Sequence, residues 1–166
     1  ADILRRARLL WLNYPNNPTA AVADERVLQR AVELAHTYGF WLCTDAAYMQ
    51  VTYDNYRAPS LLSIPGAKEV GVEFNSLSKS HNLAGWRSAA LLGNPQVVKA
   101  LYTLKTNADS GHFYPIWVGS AAALQVDPAW VAQRNAVYQA RRDCLVDGLH
   151  QLGWMVERPR ASLYVW

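Results

Sequence analysis

Cysteine is nearly absent from this chain. Only Cys43 and Cys144 occur, with no Cys-x-x-Cys and no His-rich spacing, so the pattern offers no zinc site. Two isolated thiols fit a reducing compartment, and the cytoplasm is the expected location. Charge is sparse as well: charged residues make up 17%, with 16 basic against 13 acidic and a formal net charge of +3. The basic residues are scattered, apart from Arg5-Arg6 with Arg8 and the pair Arg141-Arg142, so no nucleic-acid-binding stripe emerges. No run reaches the ~18 apolar residues of a membrane helix. The amino terminus carries no basic segment leading into a long apolar one, the mark of an export signal. Repeats, low-complexity tracts and linkers are all missing.

What is present is a chain of 166 residues, 51% hydrophobic, with room for a real core. Leu9-Leu10-Trp11-Leu12 reads as a buried strand that empties into the turn cluster Asn13-Tyr14-Pro15-Asn16-Asn17-Pro18. From the N-cap Asp24, apolar Val27, Leu28, Ala31, Val32, Leu34 and Ala35 recur on one helical face, and Gly39 suits the stop. Phe40 to Cys43 gives a second strand ending on Thr44-Asp45. Strand, helix and strand in this order argue a right-handed crossover and a parallel sheet.

Glu69 to Phe74 and Ser88 to Leu92 are further strand candidates. Downstream the pattern is helical. Asn94-Pro95 starts Gln96 to Lys105, and Asp127-Pro128 starts a long helix from Ala129 to about Leu152. Leu163 to Trp166 reads as one more strand. The fold class is α/β, a mostly parallel sheet with flanking helices that runs on into helices.

Three strand ends deliver polar groups: Asn16-Asn17-Pro18-Thr19, Asp45-Ala46-Ala47-Tyr48 and Ser76-Leu77-Ser78-Lys79. Ligands of open parallel sheets bind outside the carboxyl ends of the strands, so these groups should converge on one crevice. Arg87 follows the lysine by eight positions. Singly, each residue has a plainer explanation. An aspartate at a strand end is usually a turn cap, and a lysine in a polar loop is usually just solvated. Jointly, at these spacings, they resemble the fold-type I, class I/II aminotransferases, which depend on pyridoxal 5'-phosphate. The resemblance runs from Leu9 to Trp166.

It implies a role for each matching position. Lys79 would carry the cofactor as a Schiff base and shuttle the substrate proton, which needs a neutral amine. Asp45 would pair with the protonated pyridine nitrogen and keep the ring an electron sink. Tyr48 and Asn17 would hydrogen-bond the ring's phenolic oxygen. Ala47 would lie flat on one ring face, and Ser76, Ser78 and Arg87 would hold the phosphate. Lys79, Asp45 and Tyr48 are thus the expected catalytic residues, and Asn17-Pro18 is expected to be cis. Amino acid and 2-oxo acid substrates, a homodimer, and no membrane or nucleic-acid partner follow from the same likeness.

Two departures stand out: Ala20 and Ala161-Ser162 occupy positions where the family favours glycine. The likeness also implies that residues 1–126 are the C-terminal part of the cofactor-binding large domain, and 127–166 a linking helix with the start of a small domain. On that reading the family's N-terminal half and most of its small domain lie outside these 166 residues, which alone should not catalyse transamination.

Two alternatives share the same lysine: a C–S lyase of this fold, and an aminotransferase-like sensing domain of a transcriptional regulator. Ser76-x-x-Lys79 also matches the serine β-lactamase signature, but Tyr53-Asp54-Asn55 precedes it in the wrong order and Lys105-Thr106-Asn107 lacks the third element's glycine. The histidines His36, His81, His112 and His150 form no ligand spacing, and Trp86 is expected beneath the phosphate loop.

Overall fold

The computed structural model describes residues 2–109 and 111–166. Its sheet has four strands in the order β1 (Leu9–Asn13), β2 (Trp41–Asp45), β3 (Gly71–Ser76) and β4 (Ala89–Gly93). The first three run parallel and β4 returns antiparallel, so the sheet is mostly parallel as the sequence pattern predicts. Between the strands and after them come α1 (Asp2–Arg6), α2 (Glu25–Tyr38), α3 (Ala67–Val70), α4 (Leu77–Ser80), α5 (Pro95–Ala108), α6 (Tyr114–Ala123) and α7 (Pro128–Gln151).

Helix α2 forms where its apolar stripe and caps predict. Asp24 accepts a hydrogen bond from the Val27 amide at 3.1 Å, and Gly39 closes the helix in the left-handed region at φ 72°. Leu28, Ala31, Val32 and Ala35 are buried with Leu42, Leu61, Ile64 and Ala67, and Leu10 and Leu12 pack against them. Each fully buried aliphatic side chain contributes about 1.5–3 kcal/mol, which makes this layer the main apolar core. Strand alternation sends Leu9, Trp11 and Trp41 to the other face. There Leu9 and Trp11 are 51% and 52% exposed, and Trp11 meets Phe74 at a ring separation of 5.3 Å.

Several boundaries differ from the sequence pattern. The third strand begins at Gly71, because left-handed Gly66 starts the one-turn α3 and Glu69 belongs to that turn. The strand β4 ends at Gly93, where an added Cβ would lie 2.5 Å from the Gly71 carbonyl oxygen, so the close β3–β4 approach requires glycine. The expected strand at Leu163 to Trp166 is not formed. Ser162 turns the chain at φ 75°, just after Ala161 forms an isolated antiparallel bridge with Thr52. Helix α6 escapes the sequence pattern because Phe113 provides no side-chain cap.

Candidate active site

The register sets Asn13 beside Asp45 and Asp45 beside Phe74, so the carboxyl ends of β1, β2 and β3 lie side by side. Asn13 Nδ2 donates to the Asp45 carbonyl at 3.1 Å, while Asn13 Oδ1 accepts from the Asn17 amide at 2.9 Å. One side chain thus ties the Asn16–Thr19 loop to the end of β2. The Asn17–Pro18 peptide is cis, as expected, and so is Tyr14–Pro15. Beyond β2, Asp45 Oδ1 accepts from the Ala47 amide at 3.2 Å, and the Ala46 amide donates to the Phe74 carbonyl at 2.9 Å. These bonds fix the turn that presents Asp45, Ala47 and Tyr48.

Tyr48 is buried, and its hydroxyl lies 2.7 Å from that of Tyr164. Burial first, then this hydrogen bond and the charges of Tyr164 and Asp45, raises the Tyr48 phenol well above the ordinary tyrosine value. Lys79 Nζ sits 5.9 Å from the centre of the Tyr48 ring, a cation over an aromatic face. Among the described residues neither the Lys79 amine nor the Asp45 carboxylate has an ion-pair partner. An unpaired cation and an unpaired anion therefore flank one tyrosine at the edge of the sheet.

Lys79 stands on α4, a single turn. Ser76 caps it, its Oγ accepting from the Ser78 amide at 3.1 Å, so Ser76, Ser78 and Lys79 share one local structure. Arg87 is exposed, holds a left-handed backbone at φ 54°, and donates to the Ala84 carbonyl at 2.9 Å. It shares no hydrogen bond with Ser76 or Ser78 among the described residues. Trp86 packs on α6: a Cβ on Gly119 would meet its ring at 2.2 Å. His81 stacks on Trp130 at 6.2 Å and bonds Ser80 Oγ at 2.8 Å, which gives it a structural task.

Sequence reasoning overlooked three contributors. Asn13 looked like a turn residue, and Tyr164 like part of a strand. Arg134 looked like one more polar position on a helix, yet it is buried and donates to the Lys79 carbonyl at 3.0 Å, to the Ser80 carbonyl, and to the Gln50 carbonyl at 2.8 Å. No spacing rule marks such residues, since Asn13 and Arg134 act on backbone carbonyls remote in sequence and Tyr164 on a remote side-chain hydroxyl.

The family model for class I and II aminotransferases matches residues 1–166. The chain belongs to this family. It is 50% identical over 166 residues to an LL-diaminopimelate aminotransferase of Moorella thermoacetica, covering 100% of this chain and 43% of that protein. It is 44% identical over 161 residues to the glutamate-pyruvate aminotransferase AlaC of Escherichia coli, covering 97% of this chain and 39% of the relative. Among solved structures, apo-BacF of Bacillus subtilis superposes with a TM-score of 0.94 at 35% identity, over 99% of this chain and 42% of that one. The chain thus spans about two fifths of the length of the relatives it matches.

Membership implies pyridoxal phosphate as the cofactor. The residues present fit it. The free Lys79 amine suits an aldehyde, the unpaired Asp45 carboxylate suits a protonated ring nitrogen, and small Ala47 leaves room beside a flat ring. No described helix is long and apolar enough to cross a membrane.

Proposed function

We propose that the intact protein transfers an amino group between an amino acid and a 2-oxo acid, with pyridoxal phosphate held on Lys79 through a Schiff base. The observation that carries this reading is the pair Lys79 and Asp45, each without an ion-pair partner among the described residues, flanking Tyr48 near adjoining strand ends. When bound, the cofactor supplies the sink for the electron pair released from the substrate Cα–H bond.

The chain's own residues do the rest. Once the substrate amine has displaced it from the cofactor, the freed Lys79 Nζ would take the proton from the substrate Cα and hold it for return in the reverse half of the transfer, general-base and then general-acid work. Asp45 accepts a hydrogen bond from the ring nitrogen and keeps it protonated. Tyr48 donates its hydroxyl proton, joined by the Asn17 amide, to the ring's phenolic oxygen; a phenol held well above its ordinary pKa stays a donor across the working pH range. Ser76, Ser78 and Arg87 would hold the phosphate, and Ala47 would leave room for the ring.

In this reading residues 1–126 belong to the large domain and 127–166 lead into the small one, and the intact protein is a homodimer in the cytoplasm. The two free cysteines agree with that compartment. The relatives' names favour amino transfer over the lyase and sensing readings. The test is turnover by the intact protein, with LL-diaminopimelate and 2-oxoglutarate in one assay and glutamate and pyruvate in the other. Transfer in either, lost in Lys79→Ala, is the expected result; no transfer with any amino donor would overturn the reading.

A further inference from the structure

Helix α4 is one turn long, and the last carbonyls of any helix lack intrahelical partners. In α4 the Leu77 carbonyl is taken by the His81 amide at 3.1 Å, while the last two carbonyls, those of Lys79 and Ser80, have no backbone partner of that kind among the described residues. Both are bonded by the guanidinium of Arg134, which reaches across from α7. The same guanidinium donates to the Gln50 carbonyl at 2.8 Å, two residues beyond Tyr48. Asn135 Nδ2 reinforces that last contact at 2.9 Å.

Arg134 is only 7% exposed, yet every acceptor it meets is neutral: three backbone carbonyls and the Asn135 amide oxygen. The rings of Trp130 and Tyr138 lie 5.5 and 6.0 Å from its guanidinium carbon. A buried cation without a carboxylate is costly unless its donors are well used. Here its fork is spent on the two backbone segments that carry Lys79 and Tyr48. A cation at a helix C-terminus is also the favourable sign for the helix dipole.

Resting on the functional reading above, we infer that Arg134 is a positioning residue: it caps the lysine-bearing turn and clamps it to the tyrosine loop, so that Lys79 Nζ keeps its place over Tyr48. The geometry asks for a planar fork, because the acceptors lie on separate segments. Lysine, a point donor on a flexible stem, cannot hold all of them.

The experiment uses the intact protein loaded with pyridoxal phosphate and compares wild type with Arg134→Lys, Arg134→Met and Arg142→Met. Arg142 anchors the same helix through Asp54 and makes no hydrogen bond or ion pair to α4 among the described residues, so it serves as the purely structural control. Both Arg134 variants should lower kcat by roughly 10- to 100-fold with KM nearly unchanged, the scale of a misplaced catalytic group. They should also shift the pH midpoint of the bound cofactor's absorbance by about half a unit or more, since Lys79 and Tyr48 no longer share one environment. Arg142→Met should leave both readouts at the wild-type value. Should Arg134→Met prove insoluble, Arg134→Lys, which retains the charge, is read in its place. Native kcat and native absorbance midpoint in the soluble Arg134 variant, or an equal change in Arg142→Met, would overturn the inference. Wild-type protein with no cofactor absorbance would overturn the functional reading, and this inference with it.

Discussion

Two docking surfaces of the chain are built on opposite principles. Helix α2 meets the sheet through Leu28, Ala31, Val32 and Ala35, a surface of aliphatic carbon. Helix α7 buries Arg134, Arg142 and Val146, so two of its three buried side chains are cations. Arg142 donates to the Asp54 carboxylate at 2.5 and 3.1 Å and to the Pro159 carbonyl at 2.8 Å, with its guanidinium 4.9 Å from the Tyr53 ring centre. Apolar burial is non-directional and mainly stabilises; forked hydrogen bonds to fixed oxygens are directional and mainly position. The α2 side holds the sheet together. On the α7 side it is Arg134 that ties the Lys79 turn to the Tyr48 loop, while Arg142 anchors the helix to Asp54 and Pro159.

That contrast predicts a graded set of effects. The largest belongs to the apolar side: Leu42→Ala opens a cavity at a fully buried position and should cost about 2–5 kcal/mol by urea denaturation. A loss under about 1 kcal/mol would show that this layer is not the main stabilising core. On the polar side, Arg142→Met should cost less, about 1–2 kcal/mol, because the Asp54 side chain is 44% exposed and water can replace part of what is lost.

The same pair has a pH signature. Hydrogen bonding to Arg142, above all, holds the Asp54 carboxyl below its ordinary range. A depressed carboxylate stabilises the fold above the unfolded value and loses that effect as pH falls through the folded one. Asp54→Asn should therefore be less stable than wild type at neutral pH, and the gap should close below about pH 4. A gap that persists into strong acid would contradict the pairing.

The smallest effects concern junctions where a side chain sits in a conformation suited to glycine. Ser162 has φ 75° and a buried hydroxyl without a partner, while its backbone accepts from Tyr53 Oη at 2.6 Å. Ser162→Gly should keep the backbone contacts, relieve strain and remove an unsatisfied hydroxyl, raising stability by about 1 kcal/mol after glycine's entropy cost. Ala20, at φ 60°, should gain about 0.5–1 kcal/mol as glycine, less because its buried methyl is lost. Thermal denaturation of both variants checks these signs, and a fall in melting temperature in either would refute the strain at that site.

The apolar side was legible in the sequence because periodicity reports it directly. The stripe from Leu28 to Ala35, the caps Asp24 and Gly39, and the strand runs at Leu9 and Trp41 all formed where expected. The polar strand ends were legible too, since Asn17, Asp45 and Lys79 stand next to turn residues at the sheet edge. What escaped was whatever depended on one side chain reaching a segment remote in sequence. Arg134 and Arg142 have the composition of a solvated helix face, and only the fold reveals that they point inward. Tyr164 was legible as apolar chain but not as the partner of Tyr48, because the turn at Ser162 replaces the strand that alternation suggested. The two glycine-favoured positions were visible as departures, and their positive φ values give the physical reason.

The central claim is that Lys79, and no other lysine, is the attachment point for pyridoxal phosphate. Borohydride reduction of the intact protein with the cofactor, followed by digestion and mass spectrometry, tests it directly. The account predicts a pyridoxyl group on the Lys79 peptide, absent in Lys79→Ala, with Lys68, Lys99 and Lys105 unmodified at one cofactor per chain. Stable modification of one of those lysines in place of Lys79, or no reducible adduct at all, would contradict it.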